Sequence, residues 1–279
     1  YGIKVIDDGK SYYLQANKVD SALMLLDVYR DKIHYDAKKK EWIVFWIGNG
    51  GNGKSIVALL QSGAFGDYMY NPAIEIFTTK KKSSSQANPE LAMVKGKRAT
   101  ITTEPEEDET ILVGLLKKWT GGDKIQARML YGKPVEFVSQ SKPTIQSNFK
   151  CLLSSADGGT ARRLRKIRFP FKFVENPTGT NERLIDLTIG DRFKEQAYHQ
   201  QFMLLLLERF KVIKQNNFKI NTPKRVLEDT KEYLNENNHI MNFVDETMEQ
   251  KGDGKVLLKD AYMEFKGWAK EVGIKATMT

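Results

Sequence analysis

The sequence predicts an α/β fold built around a glycine-rich loop. The loop occupies residues 48–55 and has the spacing G-x-x-x-x-G-K-S. An unbroken apolar run at residues 42–47 precedes it, and a second apolar segment at residues 56–60 follows it. A buried strand, a glycine loop and a helix in this order are the context in which this spacing forms a P-loop. A chance glycine-rich turn is the alternative, and both flanks count against it.

The chemistry of this loop indicates a nucleoside triphosphate with Mg²⁺ as the ligand. Glycines let successive backbone N–H groups point inward, and the N-terminus of the following helix adds positive potential. Lys54 would reach the β- and γ-phosphates, and the hydroxyl of Ser55 would bind Mg²⁺. The predicted nucleotide-binding residues are Gly48, Asn49, Gly50, Gly51, Asn52, Gly53, Lys54 and Ser55.

Composition narrows the class of protein. The length of 279 residues predicts one large domain with a smaller one, or two to three modules. The 44 Lys and Arg residues exceed the 35 Asp and Glu residues, which gives a net charge of +9. Such a balance favours a polyanionic partner, nucleic acid first, although a basic surface that only maintains solubility is the alternative.

Cysteine use and hydropathy indicate an intracellular protein without a membrane anchor. Cys151 is the only cysteine, so neither an internal disulfide nor a cysteine-based zinc site can form, and a reducing compartment is expected. No apolar stretch has the length needed to cross a bilayer. The start at Tyr1 shows no secretory signal and leads us to expect a fragment of a longer chain. His34, His199 and His239 show no ligand pattern.

Local patterns predict the remaining elements of a core over residues 41–221. The signals are the alternation of β-branched residues, the helical spacing of leucines and a Tyr-Gly-Lys-Pro turn. The predicted elements are the loop helix to about residue 63, strands at 98–103 and 143–147, helices at 109–119 and 191–214, and a hairpin at 124–138.

Two smaller segments flank the core. Residues 1–40 predict a short hairpin and a brief helix at 21–30. In residues 222–279, Thr222 is expected to cap a helix with Pro223 at its first position. Helices at 223–236, 240–250 and 259–272 and a strand at 256–257 suggest a winged-helix-like module, incomplete at its end.

Three further segments contain residues that suit phosphoryl transfer. Glu104 follows the second strand, where a carboxylate can orient Mg²⁺ and the attacking water, with Glu106 as the substitute candidate. Asn148 ends the third strand, where its amide can contact the γ-phosphate or be an ordinary strand-end residue. Arg162 and Arg163 offer guanidinium groups that fit phosphate oxygens, or a basic helix start that faces solvent or nucleic acid.

The hairpin tip offers a contact for a single strand of nucleic acid. Lys133 would meet a phosphate, and the neighbouring Tyr131 could stack on a base or sugar. An exposed polar turn without a ligand is the alternative.

Together these segments resemble superfamily 3 helicases, and more narrowly the helicase half of the primase–helicases of poxviruses, large DNA viruses, phages and plasmids. The resemblance covers residues 40–275, roughly, and its most family-specific part is Thr-Gly-Gly-Asp at 120–123. The other segments that carry it are the loop at 48–55, Lys-Gly-Lys-Arg at 95–98 with Glu-Pro at 104–105, Arg-Met-Leu-Tyr at 128–131, Asn148, and Arg-Arg-Leu at 162–164.

The resemblance implies a AAA+ ATPase that uses ATP and Mg²⁺, forms a homo-hexameric ring around single-stranded DNA and moves 3′ to 5′. Lys54, Ser55, Glu104 and Asn148 would come from one subunit, and Arg162 or Arg163 from the next. Arg128, Tyr131 and Lys133 of the hairpin would line the pore and bind DNA. A primase domain or other replication proteins are further expected partners, and the location would be the host cytoplasm, with the nucleus left open.

The sequence departs from the family pattern at two points. Thr103 precedes Glu104 where two acidic residues are common, so one carboxylate must serve, and the adjacent arginines leave the identity of the finger open. The primase half is absent from this sequence. The alternatives to a helicase are a P-loop initiator or packaging motor without strand separation, and a DNA-binding scaffold that nucleotide only orders.

Overall fold

The computed structural model describes residues 4–7, 12–15, 41–78, 87–102, 104–106, 109–218, 220–249 and 254–273. These residues form an α/β fold with a parallel sheet, as the sequence predicts. The strands are β1 (Lys4–Asp7), β2 (Tyr12–Gln15), β3 (Ile43–Ile47), β4 (Met69–Tyr70), β5 (Ala99–Thr102), β6 (Thr110–Ile111), β7 (Lys124–Arg128), β8 (Pro134–Val138), β9 (Lys142–Ser147), β10 (Leu152–Leu153), β11 (Leu164–Arg168), β12 (Lys172–Val174) and β13 (Glu182–Leu184).

The described α-helices surround this sheet. They are α1 (Lys54–Phe65), α2 (Glu75–Thr78), α3 (Pro89–Met93), α4 (Val113–Gly121), α5 (Gly158–Arg163), α6 (Ile189–Arg192), α7 (Gln196–Gln215), α8 (Lys224–Glu236), α9 (His239–Thr247) and α10 (Leu258–Glu271). Among them, none combines the length and apolarity that a membrane span requires.

The main sheet has five strands in the order β11-β3-β9-β5-β4, and every neighbouring pair is parallel. Strand β3 lies inside the sheet between β11 and β9, the last two of these strands in the chain, while β4 and β5 lie beyond β9. The order therefore reverses direction next to β3. In open α/β sheets, ligands bind beyond the carboxyl ends of the strands at such a switch point.

Burial on both faces explains the unbroken apolar run of β3. Ile43, Phe45 and Ile47 pack into the larger core cluster, which also contains Trp119. Trp46 packs in a second cluster with Ala58 of α1. Alternate residues of a strand point to opposite faces, so a strand covered on both sides has no polar positions.

Helix α8 connects the C-terminal part of the chain to the core through packing and hydrogen bonds. The Tyr233 side chain is fully buried in the larger cluster, and its hydroxyl donates to the Cys151 carbonyl at 2.5 Å. The Leu153 N–H donates to Asn237 Oδ1 at 2.8 Å, and the Lys166 N–H of edge strand β11 donates to Thr230 Oγ1 at 2.9 Å. The helix thus covers edge strand β11 of the sheet, and Thr230 accepts a hydrogen bond from the backbone N–H of Lys166 in that strand.

Several predicted boundaries differ from the structure. The helix expected at 109–119 starts only at Val113, because Thr110–Ile111 pairs with β10 as a short parallel strand. The helix expected at 191–214 is divided into α6 and α7 by the non-helical residues 193–195. Such shifts arise where a tertiary pairing overrides a local pattern.

The ends of the chain also differ in detail. Pro223 is the N-cap of α8 and not its first residue, and Thr222 makes no capping bond there. Residues 254–257 are not a strand, so the strand expected at 256–257 is wrong; a two-residue apolar run has no pairing partner among the described residues. At the N-terminal end, β1 and β2 pair as the predicted hairpin, and the helix expected at 21–30 lies outside the described residues.

Candidate functional site

The glycine loop forms the connection between β3 and α1 that the sequence predicts. Gly50, Gly51 and Gly53 have φ angles of 84°, 60° and 83°, in the left-handed region that residues with a Cβ rarely adopt. Gly53 precedes α1 without a side-chain cap, and the first helical bond runs from the Val57 N–H to the Gly53 carbonyl. The N–H groups at the start of α1 therefore lack intrahelical acceptors and are available to an anion.

Lys54 is held at the centre of the site. Its Nζ donates to the Gly48 carbonyl at 2.8 Å and to Asn148 Oδ1 at 2.9 Å. Burial lowers the pKa of Lys54, and the negative charge of Glu104 opposes part of that shift. An ammonium group drawn out of water in this way gains by pairing with an anionic ligand, because that ligand restores the lost solvation.

Asn148 and Glu104 complete a hydrogen-bonded chain with Lys54. Asn148 follows β9 and Glu104 lies beyond β5, so both are at the carboxyl edge of the sheet beside the loop. Asn148 Nδ2 donates to Glu104 Oε2 at 2.6 Å. Three residues predicted from three separate segments thus meet at one place, with Glu104 and Asn148 both exposed to solvent. The N–H of the substitute candidate Glu106 instead donates to Glu109 Oε2 at 2.9 Å.

The residues present fit a magnesium nucleoside triphosphate. A Cβ at Gly50 would meet only Asn148 Oδ1, at 3.8 Å, so the space between loop and Asn148 is open to a ligand atom. Ser55 is exposed at the start of α1, with its hydroxyl accessible to a cation. Among the described residues, no group of three or more His, Cys, Asp and Glu side chains could hold a metal ion.

The loop has a second support that the sequence analysis missed. The segment directly after β11 lies along it: the Phe173 N–H donates to the Gly51 carbonyl at 2.9 Å, and Asn52 Nδ2 donates to the Phe171 carbonyl at 2.8 Å. A Cβ at Gly48 would lie 2.9 Å from the Phe169 carbonyl oxygen, so this glycine permits close approach of the two segments. No local spacing signals this support, because the bond from Asn52 joins residues 119 positions apart in the sequence.

Asn49 remains at the loop surface. It is exposed, in contrast to the buried Asn52 three residues later. Its predicted part in nucleotide binding therefore rests on its backbone and not on a packed side chain.

Arg162 and Arg163 lie at the other edge of the sheet. They end α5, directly before β11, whose first residue Leu164 pairs with Ile43 at the amino end of β3. The loop leaves β3 at its carboxyl end, and four residue steps of about 3.3 Å each separate the two ends by roughly 13 Å. Within one chain, the arginines are therefore not brought together with Lys54.

The two arginines differ in their surroundings. Arg163 is buried, and it donates to the Gly159 carbonyl at 2.8 Å and pairs with Glu41 Oε2 at 2.6 Å. Arg162 pairs with the same Glu41 oxygen at 2.8 Å, yet its side chain remains 63% exposed. Sequence reasoning did not single out Glu41, because a lone acid before a strand carries no spacing signal.

The predicted hairpin is confirmed by the antiparallel pairing of β7 with β8. At its tip, Tyr131 is fully exposed with a φ of 57°, and Lys133 is exposed two residues later. Arg128 is not at the tip; it ends β7 opposite Pro134, and its carbonyl accepts from the Asn88 N–H at 2.9 Å. Tyr131 and Lys133 are thus presented together, and Arg128 supports the base of the turn.

Relatives of this chain occur in large DNA viruses. It is 30% identical over 288 residues to "Putative helicase L207/L206" of Acanthamoeba polyphaga mimivirus, a match of 92% of this chain and 30% of that protein. It is 29% identical over 236 residues to "Putative helicase 022R" of Frog virus 3, covering 81% of this chain and 24% of that protein. It is also 26% identical over 165 residues to "Putative primase C962R" of African swine fever virus, covering 59% and 17%.

Other comparisons are weaker. The chain matches no protein-family model. Solved structures of an NrS-1 C-terminal region in its apo form align with a TM-score of 0.46 and 16% identity, over 93% of this chain and 67% of that one, which is too distant to assign a function.

The chain spans less than a third of the length of the viral relatives described above. The chain is therefore a relative of the proteins named as helicases and primases in large DNA viruses, which confirms the resemblance to the helicase half of a primase–helicase that its motifs predict.

Proposed function

We propose that this chain is the motor of an ATP-dependent DNA helicase of superfamily 3 that serves viral, phage or plasmid replication. The observation that carries the proposal is the hydrogen-bonded chain from Lys54 through Asn148 to Glu104, beside a glycine loop with free helix N-terminal donors. The names of the viral relatives support the same class of activity. A AAA+ core followed by a winged-helix-like module is part of this proposal.

The proposed reaction is hydrolysis of the γ-phosphoryl group of ATP. Water attacks the γ-phosphorus, the bond to the β–γ bridging oxygen breaks, and ADP and inorganic phosphate leave while the released proton passes to solvent through Glu104. Ser55, and Glu104 through water, would hold Mg²⁺, which would supply positive charge to the phosphates. Lys54 binds the β- and γ-phosphates, and Asn148 orients the water against the γ-phosphate.

The site is proposed to be completed by a neighbouring subunit. The arginines lie at the opposite edge of the sheet from Lys54, so they suit the next protomer of a homo-hexameric ring better than their own. Of the two, the exposed Arg162 is the proposed finger, while the buried Arg163 holds Glu41 and α5 in place. A positive charge supplied in this way stabilises the charge that develops in the transition state.

The hairpins of such a ring would bind single-stranded DNA at its centre. Tyr131 and Lys133 offer a ring for stacking and a cation for phosphate, and the net charge of +9 favours a nucleic-acid partner. Translocation from 3′ to 5′, in the host cytoplasm or a virus factory and alongside a primase domain, completes the proposal.

Two assays test this function. Steady-state ATP hydrolysis is measured with and without single-stranded DNA, and unwinding is measured on forked duplexes with either a 3′ or a 5′ loading strand. We expect DNA-stimulated hydrolysis and unwinding from the 3′ strand only, both abolished by Lys54→Ala. Stimulated hydrolysis without unwinding would indicate an initiator or packaging motor instead. Nucleotide binding without hydrolysis would indicate the scaffold, and hydrolysis by Lys54→Ala at the wild-type rate would refute the site.

A further inference from the structure

A cleft between α5 and α8 lies on the side of the molecule that carries Arg162. We propose that this cleft receives the triphosphate bound by the neighbouring protomer, and that Lys231 is a further cation acting on that phosphate from the neighbour. This inference rests on the proposed function and extends the shared site beyond the arginine pair.

The cleft has the size and lining of an anion site. Its volume is about 430 Å³, and its polar lining consists of Arg162, Arg165, Thr230, Lys231, Asn235 and Asn238. The other lining residues are alanine and leucine, so no carboxylate lines the cleft. Arg162 is paired with Glu41, but Arg165 and Lys231 form no ion pair with a carboxylate that the structure describes, so they give the cleft a positive potential that an anionic ligand would neutralise.

Arg165 is fixed at the cleft and keeps its charge uncompensated. Its guanidinium donates to the carbonyls of Arg162, at 3.1 Å, and of Leu164, and it lies over the Trp42 ring at 5.2 Å. Its Nε atom is buried without a hydrogen-bond partner. Burial lowers the pKa of Arg165, a sign that the cation lies in surroundings poor in water. A partly buried cation without a carboxylate partner among the described residues favours an anion from outside.

Lys231 is the cation of α8 that remains available. The four acidic residues of this helix are each paired with another cation: Glu228 with Lys224, Asp229 with Arg168, Glu232 with Lys166, and Glu236 with Lys150. Lys231 forms no ion pair with any residue that the structure describes, and it is exposed at the cleft. A flexible, solvated ammonium can therefore follow a phosphate without first breaking a salt bridge.

A compact phosphate group fits the cleft better than a strand of DNA. Surfaces that bind single strands combine cations with aromatic rings on which bases stack. None of the cleft residues is aromatic, whereas the hairpin tip presents the exposed Tyr131. Arg162, the proposed finger, also lines the cleft. We therefore infer that Lys231 contacts the same phosphate as Arg162.

The test uses Lys231→Ala, with Lys224→Ala as the matched control. Lys224 is an exposed lysine of the same helix outside the cleft, paired with Glu228 at 3.5 Å. We expect Lys231→Ala to lower kcat for ATP hydrolysis about tenfold or more, as the loss of one charge-assisted contact implies, with KM and DNA affinity unchanged. Lys231→Arg should recover most of the rate, and Lys224→Ala should match the wild type.

Mixing distinguishes a contact between protomers from a structural effect. Lys54→Ala inactivates the site of its own chain, so a mixture with Lys231→Ala contains interfaces in which both residues are intact, and we expect hydrolysis above that of either variant alone. No recovery would refute the proposed contact, as would equal rates for Lys231→Ala and Lys224→Ala, or a loss of DNA affinity with unchanged DNA-independent hydrolysis. A wild-type chain without ATP hydrolysis would refute the proposed function as a whole, while an active wild type indifferent to Lys231 would refute this assignment alone.

Discussion

Asn148 links the cation and the carboxylate of the candidate site, so the two ends of its amide have different tasks. Its oxygen accepts from Lys54 and its nitrogen donates to Glu104 at 2.6 Å. Asn148→Asp keeps the size and the acceptor but places a second negative charge against Glu104. We expect kcat for ATP hydrolysis to fall about 10²-fold or more, because repulsion displaces Glu104 from the water.

The measurement for Asn148→Asp is kcat and KM for ATP, with the free energy of unfolding as a control. Nucleotide affinity should change little, since Lys54 and the loop remain. An unchanged kcat in a folded variant would show that the link between Asn148 and Glu104 has no part in the reaction.

The adjacent arginines are expected to have separable effects. Arg162→Ala should lower kcat about 10³-fold or more and change the free energy of unfolding by less than about 1 kcal/mol, because the Arg162 side chain is 63% exposed and Glu41 keeps Arg163. Arg163→Ala removes a buried partner of Glu41 and a bond to the Gly159 carbonyl. We expect a loss of stability near the lower end of about 3–5 kcal/mol, since Glu41 keeps Arg162.

Urea unfolding and ATPase assays on both arginine variants check this division. If Arg162→Ala unfolds as readily as Arg163→Ala, or if only Arg163→Ala loses turnover while folded, the assignment of the finger to Arg162 is wrong.

At the level of single residues, the sequence identifies what local spacing encodes. Lys54 and Ser55 follow from eight consecutive positions, and Glu104 and Asn148 follow from their places after strands. The support of the loop by Phe171 could not be predicted, because the bond from Asn52 spans 119 residues of sequence. Such a contact depends on which strands are neighbours, and strand order is set by packing of the whole sheet.

The hairpin is the element on which DNA binding is expected to depend. Lys133→Ala should weaken binding of single-stranded DNA and reduce the slope of log affinity against log salt by about 0.7, the value for one lost phosphate contact. Lys124→Ala is the control, because Lys124 lies at the base of the hairpin and pairs with Glu136 at 2.7 Å. ATP binding should be the same in both variants. An unaltered salt slope in Lys133→Ala would exclude the tip as a DNA contact.

Helix α8 is expected to contribute to the stability of the core and not only to a separate C-terminal module. Asn237→Ala leaves the buried Leu153 N–H without its acceptor at 2.8 Å. We expect the free energy of unfolding to fall by about 1–3 kcal/mol, the cost of an unsatisfied buried donor. Glu228→Ala on the exposed face should change it by less than about 0.5 kcal/mol. Equal midpoints in urea for the two variants would contradict this view of α8.

The predicted end of an element was most accurate where a glycine in the sequence coincided with a backbone position of positive φ. Helix α4 ends at Gly121, close to the predicted end at residue 119, and Gly122 with a φ of 85° is its C-cap. The start of the same helix was placed too early, because the pairing of Thr110 with Leu152 takes Thr110–Ile111 into a strand. That pairing joins two distant segments, so helical spacing of leucines alone could not reveal it.

The whole molecule places the two halves of the proposed catalytic machinery at opposite edges of one sheet. Strand β11 begins beside the arginines and ends beside the segment that supports the glycine loop. The resemblance implies that the two halves come from different subunits, but their places in the sheet could not be predicted, because the order of parallel strands is not written in any local pattern. In the proposed mechanism, such a chain gains a complete site only by assembling.

Mixing two inactive variants tests this consequence directly. Lys54→Ala lacks the phosphate-binding cation and Arg162→Ala lacks the proposed finger, so neither should hydrolyse ATP alone. In a mixed ring, some interfaces combine the intact glycine loop of an Arg162→Ala chain with the intact Arg162 of a Lys54→Ala chain. Such an interface has a complete site. With random assembly of equal amounts, one interface in four has this composition, so we expect activity near a quarter of the wild-type rate. For a site complete within one chain, mixing would give only the average of the two inactive variants, and the wild-type rate per chain would stay constant on dilution instead of falling as the ring dissociates.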